Sequence, residues 1–446
     1  MLKSFKLKYS YWINSVFFTL AQRLSVMLVG IGAFLILVRV LSKEEMGGYA
    51  LFFTIITIFE VTRDGLIKNT VIRFINISNT EEINEIQSAA LLLNIAYTLL
   101  FVLIILAISD FLSMYWHAPQ LDDMLYIYCI TSVISVFFSH IEYIQQANLH
   151  FKGIFLIYFV KQGCYFLFIV ISLFLKNISL YQLALLQCIA VFIATFFGFI
   201  YARKFLLKRF TFSINYIINQ WKYGRFVLAT NISSQTLRTV DHFMLASLVS
   251  TPAVALYNTS VRISNLLDMP SKAVAEALFP KSVQKSTDGK EQVARLYEQT
   301  TGSILAVLAP MCLFIFIFPD LIIKIIAGEK YLDAVPILRV AVIYSLLLPF
   351  QKQFGTIMDA SGKPKINFIV NLILAIYNII IVYFLVKLLG LIGAAYGLLL
   401  TLVLALIINQ ILLKREFGVK TSSVLTHAMF FYLVVIRFLK KKSINT

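Results

Sequence analysis

The nine residues LSKEEMGGY at positions 41–49 recur in degenerate form 208 positions later as VSTPAVALY at 249–257. Each copy lies between two long apolar runs, and the shift aligns Ser42 with Ser250 and the two tyrosines with each other. Many secondary transporters consist of two such repeats with a shared seam between them. The echo therefore predicts a duplicated set of membrane helices, although two matched residues need support from the rest of the chain.

The composition supports a membrane protein, because 60% of the 446 residues are hydrophobic and only 14% are charged. Apolar runs of about 20 residues can cross a hydrocarbon core of roughly 30 Å as helices. About twelve runs meet this criterion, and the chain is predicted to be an all-α polytopic membrane protein. The runs are 11–40, 48–61 and beyond, 89–108, 124–145, 155–175, 180–201, 226–249, 255–269, 303–318, 337–358, 368–388 and 392–413.

Lys and Arg concentrate in alternate loops, and short basic loops stay in the cytoplasm. One set of loops is assigned most of the basic residues, including Arg63 and Lys68 after the second run, whereas the intervening loops have few. This asymmetry predicts a cytoplasmic N-terminus and a cytoplasmic end of the twelfth run. A basic face toward anionic lipid also explains the formal net charge of +17 without nucleic-acid binding.

Several function classes are disfavoured. The chain has no phosphate-binding G-x-x-x-x-G-K-[ST] loop, and its four cysteines lie inside predicted spans without a Cys-x-x-Cys pair. We therefore expect no metal site and no cofactor. The predicted outward loops are short, whereas enzymes that join glycans outside the membrane need a larger external segment. A transporter is favoured over an enzyme.

The repeat predicts an N-terminal six-helix lobe at 1–212, a C-terminal six-helix lobe at 213–420, and a hydrophobic and basic segment at 421–446. Within that last segment, residues 424–438 are apolar but short, with basic residues on both sides. This pattern favours a surface-lying or re-entrant helix over a thirteenth span. Pro310 and Pro349 lie inside predicted spans, where they should kink the helix.

Polar residues at steps of three and four form a stripe on the seventh and eighth runs, which must face protein or a water-filled cavity. As an alternative, Arg238 and Asp241 simply neutralise each other on one helix. The 208-residue shift places a second polar set on the first two runs, where Glu60 matches Asp268. Arg23 could instead snorkel toward the interface. The predicted cavity residues are Arg23, Thr54, Thr57, Glu60, Asn231, Gln235, Arg238, Asp241, Asn258, Arg262, Asn265 and Asp268.

The chemistry of this set suggests an anionic ligand rich in hydroxyl groups. Arg23, Arg238 and Arg262 would supply planar guanidinium groups, which bind phosphate through paired hydrogen bonds. Asn, Gln and Thr side chains suit sugar hydroxyls. Glu142 and Lys352 also lie near predicted spans, where a solvated position near the cytoplasmic ends is an equal alternative.

At this point the sequence resembles the polysaccharide-export flippases of the multidrug/oligosaccharidyl-lipid/polysaccharide exporter superfamily. The matching segments are RVLSKEEMGGY at 39–49, DHFML at 241–245, LFP at 278–280, GEKY at 328–331, ASGK at 360–363 and GLIGAA at 390–395. They cover nearly the whole chain in the family's order. Ala246 and Ala255 replace glycines that are common around the second joint, which places close helix approach there in question.

The resemblance implies two six-helix lobes of MATE-like architecture around a cavity that opens alternately to each side. It also implies transport of a polyprenyl-pyrophosphate-linked oligosaccharide, for O-antigen, capsule or exopolysaccharide, across a bacterial inner membrane. The acids would set the electrostatics or couple transport to H⁺ or Na⁺, and glycan polymerase machinery would be a partner. The alternatives are a cation-coupled multidrug exporter, a lipid II transporter, and a membrane glycan polymerase or ligase.

Overall fold

The structure is a computed structural model that describes residues 2–79, 82–175, 178–269, 271 and 289–443, with the backbone alone at 2–16, 226 and 433–443. These residues form α-helices, one 3₁₀ helix and connecting turns. The α-helices are α1 Leu2–Val40, α2 Lys43–Ile77, α3 Ile83–Tyr115, α4 Leu121–Ala147, α5 Phe151–Phe174, α6 Leu180–Ala202, α7 Ile214–Leu248, α8 Thr251–Leu267, α9 Lys290–Ile317, α10 Pro319–Ala327, α11 Val335–Ser345, α12 Leu348–Ala360, α13 Pro364–Leu389, α14 Leu391–Phe417 and α15 Thr421–Ser443. The LFP segment at 278–280 and the basic residues Lys272, Lys281 and Lys285 lie outside the described residues.

The repeat identified in the sequence is visible in the helix boundaries. Helix α1 ends at Val40 and α7 at Leu248, while α2 begins at Lys43 and α8 at Thr251, so both boundaries keep the 208-residue shift. Ser42 and Ser250 cap the second helix of their repeats: Ser42 Oγ accepts from the backbone N–H of residue 45 at 3.1 Å, and Ser250 Oγ accepts from that of residue 253 at 3.3 Å. These N-caps satisfy helix N–H groups that have no partner in the first turn.

Nine helical segments of the described chain are long and apolar enough to cross a membrane. They correspond to nine of the twelve predicted runs. The other three runs correspond to α2, α7 and α8. Of the predicted cavity residues, Arg23 lies on α1, Asp268 is the C-cap of α8, and the rest lie within these three helices. Polar residues lower the hydrophobicity of these helices, so they need protein around them in a bilayer. The total of twelve stays a prediction.

Large apolar side chains cover the outer surface of the remaining helices. On α3, Leu99, Leu100 and Leu103 are exposed, and on α13 Ile376 and Phe384 are exposed. A soluble protein rarely exposes so continuous an apolar surface, whereas hydrocarbon chains would cover it in a membrane. The chain is therefore a multi-pass membrane protein.

The chain divides into two compact units, residues 1–235 and 236–446, with the division inside α7. In the first unit, α4 packs against α2, α3 and α6, and α1 packs against α5. In the second unit, α9 packs along α15, and α13 packs along α14. The predicted lobe limits at 212 and 420 stay a prediction.

Pro349 divides the predicted tenth run. Helix α11 ends at Ser345 and α12 begins at Leu348, and the two count together as one candidate span. Pro349 stands in the first turn of α12, where its missing N–H costs nothing. Pro310, in contrast, lies inside the continuous helix α9.

Helix α15 lies alongside the candidate span α9 and runs parallel to it. The backbone N–H of Lys420 donates to Glu298 at 2.7 Å, and farther along Tyr432 donates to the carbonyl of Ala306 at 2.5 Å. Residues 298 to 306 and 420 to 432 thus advance in the same direction. For residues 424–432 this direction favours a re-entrant helix or a thirteenth span over a surface-lying helix, because a helix on the membrane surface would cross the end of α9.

Gly302 permits this close packing, and its substitution tests it. A Cβ atom at position 302 would lie 2.6 Å from the carbonyl oxygen of Val424, whereas a Cβ at Gly30 of α1 would meet no atom within 4 Å. We expect Gly302→Ala to lower the melting temperature of the detergent-purified protein, since overpacking costs about 1–3 kcal/mol. Gly30→Ala should leave it unchanged or raise it, because alanine favours helix. Equal melting temperatures for the two variants would contradict this packing.

Candidate functional site

Helix α2 carries the first concentration of buried charge. Glu60, Asp64 and Lys68 follow one another at four-residue steps, which places them along one face of the helix. Arg63 lies beside them and is only 4% exposed. With Glu142 of α4, these residues form what we call the N-terminal charge cluster. Because charge is costly inside a membrane, the cluster requires internal partners.

The partners come from α4 and α5. Lys68 Nζ lies 2.6 Å from Glu142 Oε1, and Tyr158 of α5 donates to Glu142 Oε2 at 2.8 Å. Tyr143 of α4 donates to Asp64 Oδ1 at 2.6 Å. Asp64 and Glu142 thus each accept a hydrogen bond from a tyrosine hydroxyl, and Glu142 also pairs with Lys68. This arrangement offsets much of the desolvation cost of the buried charges.

Arg63 is held differently. Its guanidinium carbon lies 5.1 Å from the centre of the Phe59 ring, and it interacts electrostatically with Asp64 and Glu60. Its Nε and Nη1 atoms make no hydrogen bond to any side chain or backbone group that the structure describes. Charge and the aromatic face therefore position the guanidinium.

The loop assignment of Arg63 and Lys68 is wrong. Both lie within α2, whose 35 residues extend about 52 Å at 1.5 Å per residue, well past the bilayer core. The predicted run covers 48–61 and beyond, but the basic residues that follow were assigned to a cytoplasmic loop. The four-residue spacing of residues 60, 64 and 68 was the signal that could have extended the helix and found the cluster.

In the second unit, two hydrogen-bonded groups connect α7 to α8. Tyr257 donates to Asp241 Oδ2 at 2.5 Å, and Asp241 is 1% exposed. Next to this pair, Asn258 Nδ2 lies 3.1 Å from His242 Nε2, and its Oδ1 accepts from Arg262 Nε at 3.0 Å. We call these five residues the C-terminal polar chain. It brings together three residues of the predicted site, Asp241, Asn258 and Arg262, and adds His242 and Tyr257.

In each unit, an ion pair connects the second helix of the repeat to a later helix of the same unit. In the second unit, Lys352 Nζ of α12 lies 3.1 Å from Asp268 Oδ2. In the first unit, Lys68 of α2 pairs with Glu142 of α4. The polarity is reversed, since the base is on the second helix in one unit and the acid is there in the other. Glu142 and Lys352 are therefore ion-paired rather than solvated tails.

Four other predicted site residues form hydrogen bonds within the first unit. The hydroxyls of Thr54 and Thr57 donate to backbone carbonyls one turn earlier, at 2.8 and 2.6 Å. Asn231 donates to the carbonyl of Val61 at 2.8 Å, and Glu60 accepts from Tyr128 at 3.3 Å. The two threonine hydroxyls and the Asn231 amide are thus engaged inside the first unit.

Arg23, Arg238 and Asn265 are exposed in the structure, and Gln235 is buried. Arg238 and Asp241 form no ion pair within the described chain, so the suggestion that they neutralise each other is not supported. Arg23 lies near enough to Lys68 to interact electrostatically. That all twelve predicted residues line one cavity stays a prediction.

Comparison with known proteins identifies the family. The family described as "Polysaccharide biosynthesis protein" matches residues 36–336, which is more than half of the chain. The chain therefore belongs to this family, and the resemblance inferred from its sequence is confirmed.

Relatives share low identity with the chain. An uncharacterized membrane protein of Methanocaldococcus jannaschii is 26% identical over 261 residues, which are 56% of this chain and 52% of that protein. The teichuronic acid biosynthesis protein TuaB of Bacillus subtilis is 21% identical over 274 residues, 60% of this chain and 56% of the relative. The lipopolysaccharide biosynthesis protein WzxC of Escherichia coli is 18% identical, covering 88% of this chain and 80% of the relative. The match spans only about half the length of the first two.

Solved structures share the fold. An inward-facing multidrug resistance MATE family transporter of the MOP superfamily superimposes with a TM-score of 0.75 at 16% identity, covering 88% of this chain and 95% of that one. The lipid II flippase MurJ in an inward closed conformation gives a TM-score of 0.72 at 15% identity, covering 95% and 93%. The predicted MATE-like, all-helical membrane fold is confirmed.

The ion pair between Asp268 and Lys352 can be tested by a double-mutant cycle. Lys352→Met should lower the melting temperature of the purified protein, because it removes the positive charge that faces a buried carboxylate, at a cost of about 3–5 kcal/mol. Asp268→Asn with Lys352→Met should recover most of that loss. The exposed pair Glu291 and Arg295 is the control, and its disruption should change the stability by less than about 1 kcal/mol. If the double variant were as unstable as the single one, the pairing would not be the cause.

Proposed function

We propose that the protein is a flippase, not an enzyme, which moves polyprenyl-pyrophosphate-linked oligosaccharides across a membrane by alternating access. Membership of a polysaccharide biosynthesis family supports this function, as do relatives named for teichuronic acid and lipopolysaccharide biosynthesis. Such a substrate has an apolar tail that lipid can solvate and a charged, hydroxyl-rich headgroup that hydrocarbon cannot. The protein must supply the polar surroundings that the headgroup loses.

The C-terminal polar chain carries the proposal. Arg262 is the cation within it, and the hydrogen bond from Nε to Asn258 fixes the plane of its guanidinium group. Asn258 is itself bound to the buried His242. A guanidinium held in one orientation loses little entropy when it binds phosphate, and it cannot be deprotonated. Arg262 would bind the pyrophosphate or an acidic sugar, with Arg23 and Arg238 as the other cationic members of the predicted cavity.

Substitution of Arg262 tests this assignment in cells. In a strain that lacks the gene and depends on the plasmid copy, Arg262→Ala should reduce surface glycan about tenfold or more, because a charge-assisted hydrogen bond contributes roughly 1.5–3 kcal/mol. Arg262→Lys should restore part of the function, since it keeps the charge but not the planar fork. Arg295→Ala, at an exposed position of α9, is the control. Normal glycan in Arg262→Ala cells with normal protein levels would refute the assignment.

Asp241 is our candidate for coupling transport to H⁺ or Na⁺. Its carboxylate is buried, Tyr257 donates to one oxygen, and the Asn378 amide lies beside it. No lysine or arginine is paired with it in the described chain, unlike Asp268 and Glu142. A buried carboxylate without a permanent counter-ion can exchange a proton or a sodium ion during a transport cycle.

Coupling can be measured in inverted membrane vesicles. Asp241→Asn removes the exchangeable charge, so transport driven by a pH or sodium gradient should fall to the rate without a gradient. Tyr257→Phe should retain the gradient response, because it removes only the hydrogen bond. If Asp241→Asn vesicles still responded fully to either gradient, coupling would depend on another group.

The same function implies a location and partners. We place the protein in the inner membrane of a bacterium with its N-terminus in the cytoplasm, because its basic residues concentrate in alternate loops. The outward-facing product would then serve glycan polymerase machinery. Gene neighbourhood offers an independent check, since adjacent glycosyltransferases would support glycan transport rather than drug export.

A further inference from the structure

A side pocket of about 440 Å³ opens within the first unit, and no charged residue of α2 lines it. Helices α3, α4 and α6 and the segment after α6 form its walls. Most of the lining is apolar, and Phe137 and Phe199 contribute half-exposed rings on the outer surface. Among the residues that the structure describes, His140 and Arg203 are the two ionisable ones in the lining, and no acidic residue lines the pocket.

His140 gives the pocket an unusual polar wall. Its side chain is 4% exposed, and neither ring nitrogen has a hydrogen-bond partner in the described part of the protein. A buried imidazole normally satisfies at least its N–H group, since an unmade hydrogen bond costs about 1–3 kcal/mol. The orphan ring therefore indicates a ligand that accepts a hydrogen bond.

Arg203 stands at the mouth of the pocket as the C-cap of α6. The chain that follows is fixed to the start of α3: Gln87 donates to the carbonyl of Phe205 at 2.9 Å, and the backbone N–H of Thr211 donates to Ser88 at 3.1 Å. These hydrogen bonds hold the segment at the mouth of the pocket in place. Its location also matters, because α6 has 23 residues and extends about 34 Å, which places its end at the headgroup level of a bilayer.

The surroundings of the mouth are positive. Lys204, Lys208 and Arg209 follow Arg203 and are exposed. Nearby, burial lowers the pKa of His150 in the turn between α4 and α5, and the charges of Lys204 and Lys152 lower it further. An anion at the mouth would be attracted by this field, and the apolar wall below it would accept an acyl chain.

We propose that this side pocket binds an anionic phospholipid of the cytoplasmic leaflet, with the headgroup phosphate between Arg203 and His140. One acyl chain would lie against Phe137 and Phe199. None of the twelve predicted cavity residues lines this pocket, and a lipid bound there would connect α3, α4 and α6. Basic pockets between membrane helices on the cytoplasmic side are known to bind acidic headgroups in this way.

Native mass spectrometry of the full-length, detergent-purified protein can test the site. Phosphatidylglycerol should bind with one dominant stoichiometry, and phosphatidylcholine should bind at least tenfold more weakly. Arg203→Ala should weaken phosphatidylglycerol binding about tenfold, as expected for loss of a charge-assisted hydrogen bond. Arg209→Ala is the matched control, an exposed arginine six positions on that does not line the pocket, and it should change binding less than twofold.

His140→Leu should also weaken phosphatidylglycerol binding without changing the net charge of the surface, and a thermal melt will show whether this variant folds. Equal losses in Arg203→Ala and Arg209→Ala would overturn the proposal in favour of unspecific surface charge. Binding of a polyprenyl phosphate that depends on Arg203, without such binding of phosphatidylglycerol, would also overturn it, because the pocket would then belong to the transport substrate.

Discussion

Charge inside a hydrocarbon layer must be partnered by the protein, and this constraint explains the arrangement of α2, α7 and α8. Each of the two units meets it with a buried ion pair between the second helix of the repeat and a later helix, Lys68 with Glu142 and Asp268 with Lys352. Tyrosines complete the network by donating to Asp64, Glu142 and Asp241. Helices with so many polar residues would be unstable alone in lipid, and they depend on these contacts.

A small number of charged groups in these helices lie outside the two buried ion pairs and are candidates for function. Arg262 is oriented by Asn258, and Asp241 has phenol and amide neighbours but no lysine or arginine paired with it among the described residues. A buried carboxylate such as that of Asp241 suits reversible binding, because a proton or a sodium ion can neutralise it and then leave.

Much of the fold was predictable because its signals are local. Ser42 and Ser250 mark helix starts through capping, and the 208-residue shift located both joints to the residue. The partners were not predictable, because Lys68 and Glu142 lie 74 positions apart and no spacing rule connects them. Arg63 was missed as a site residue because it was counted among the basic loop residues, although the helix continues past it. The exposure of Arg238 beside the burial of Asp241 depends on how α7 is rotated against its neighbours, which a periodic pattern does not specify.

In the proposed function, the protein lets a charged glycan headgroup cross the bilayer. The most direct measurement uses proteoliposomes that contain the purified protein and a labelled polyprenyl-pyrophosphate-linked oligosaccharide in the inner leaflet. A membrane-impermeant glycosidase added outside then reports its appearance in the outer leaflet. We expect the glycan to become exposed outside at a steady rate that scales with the amount of protein. Exposure no faster than in protein-free liposomes, with the energising gradient in place, would contradict it.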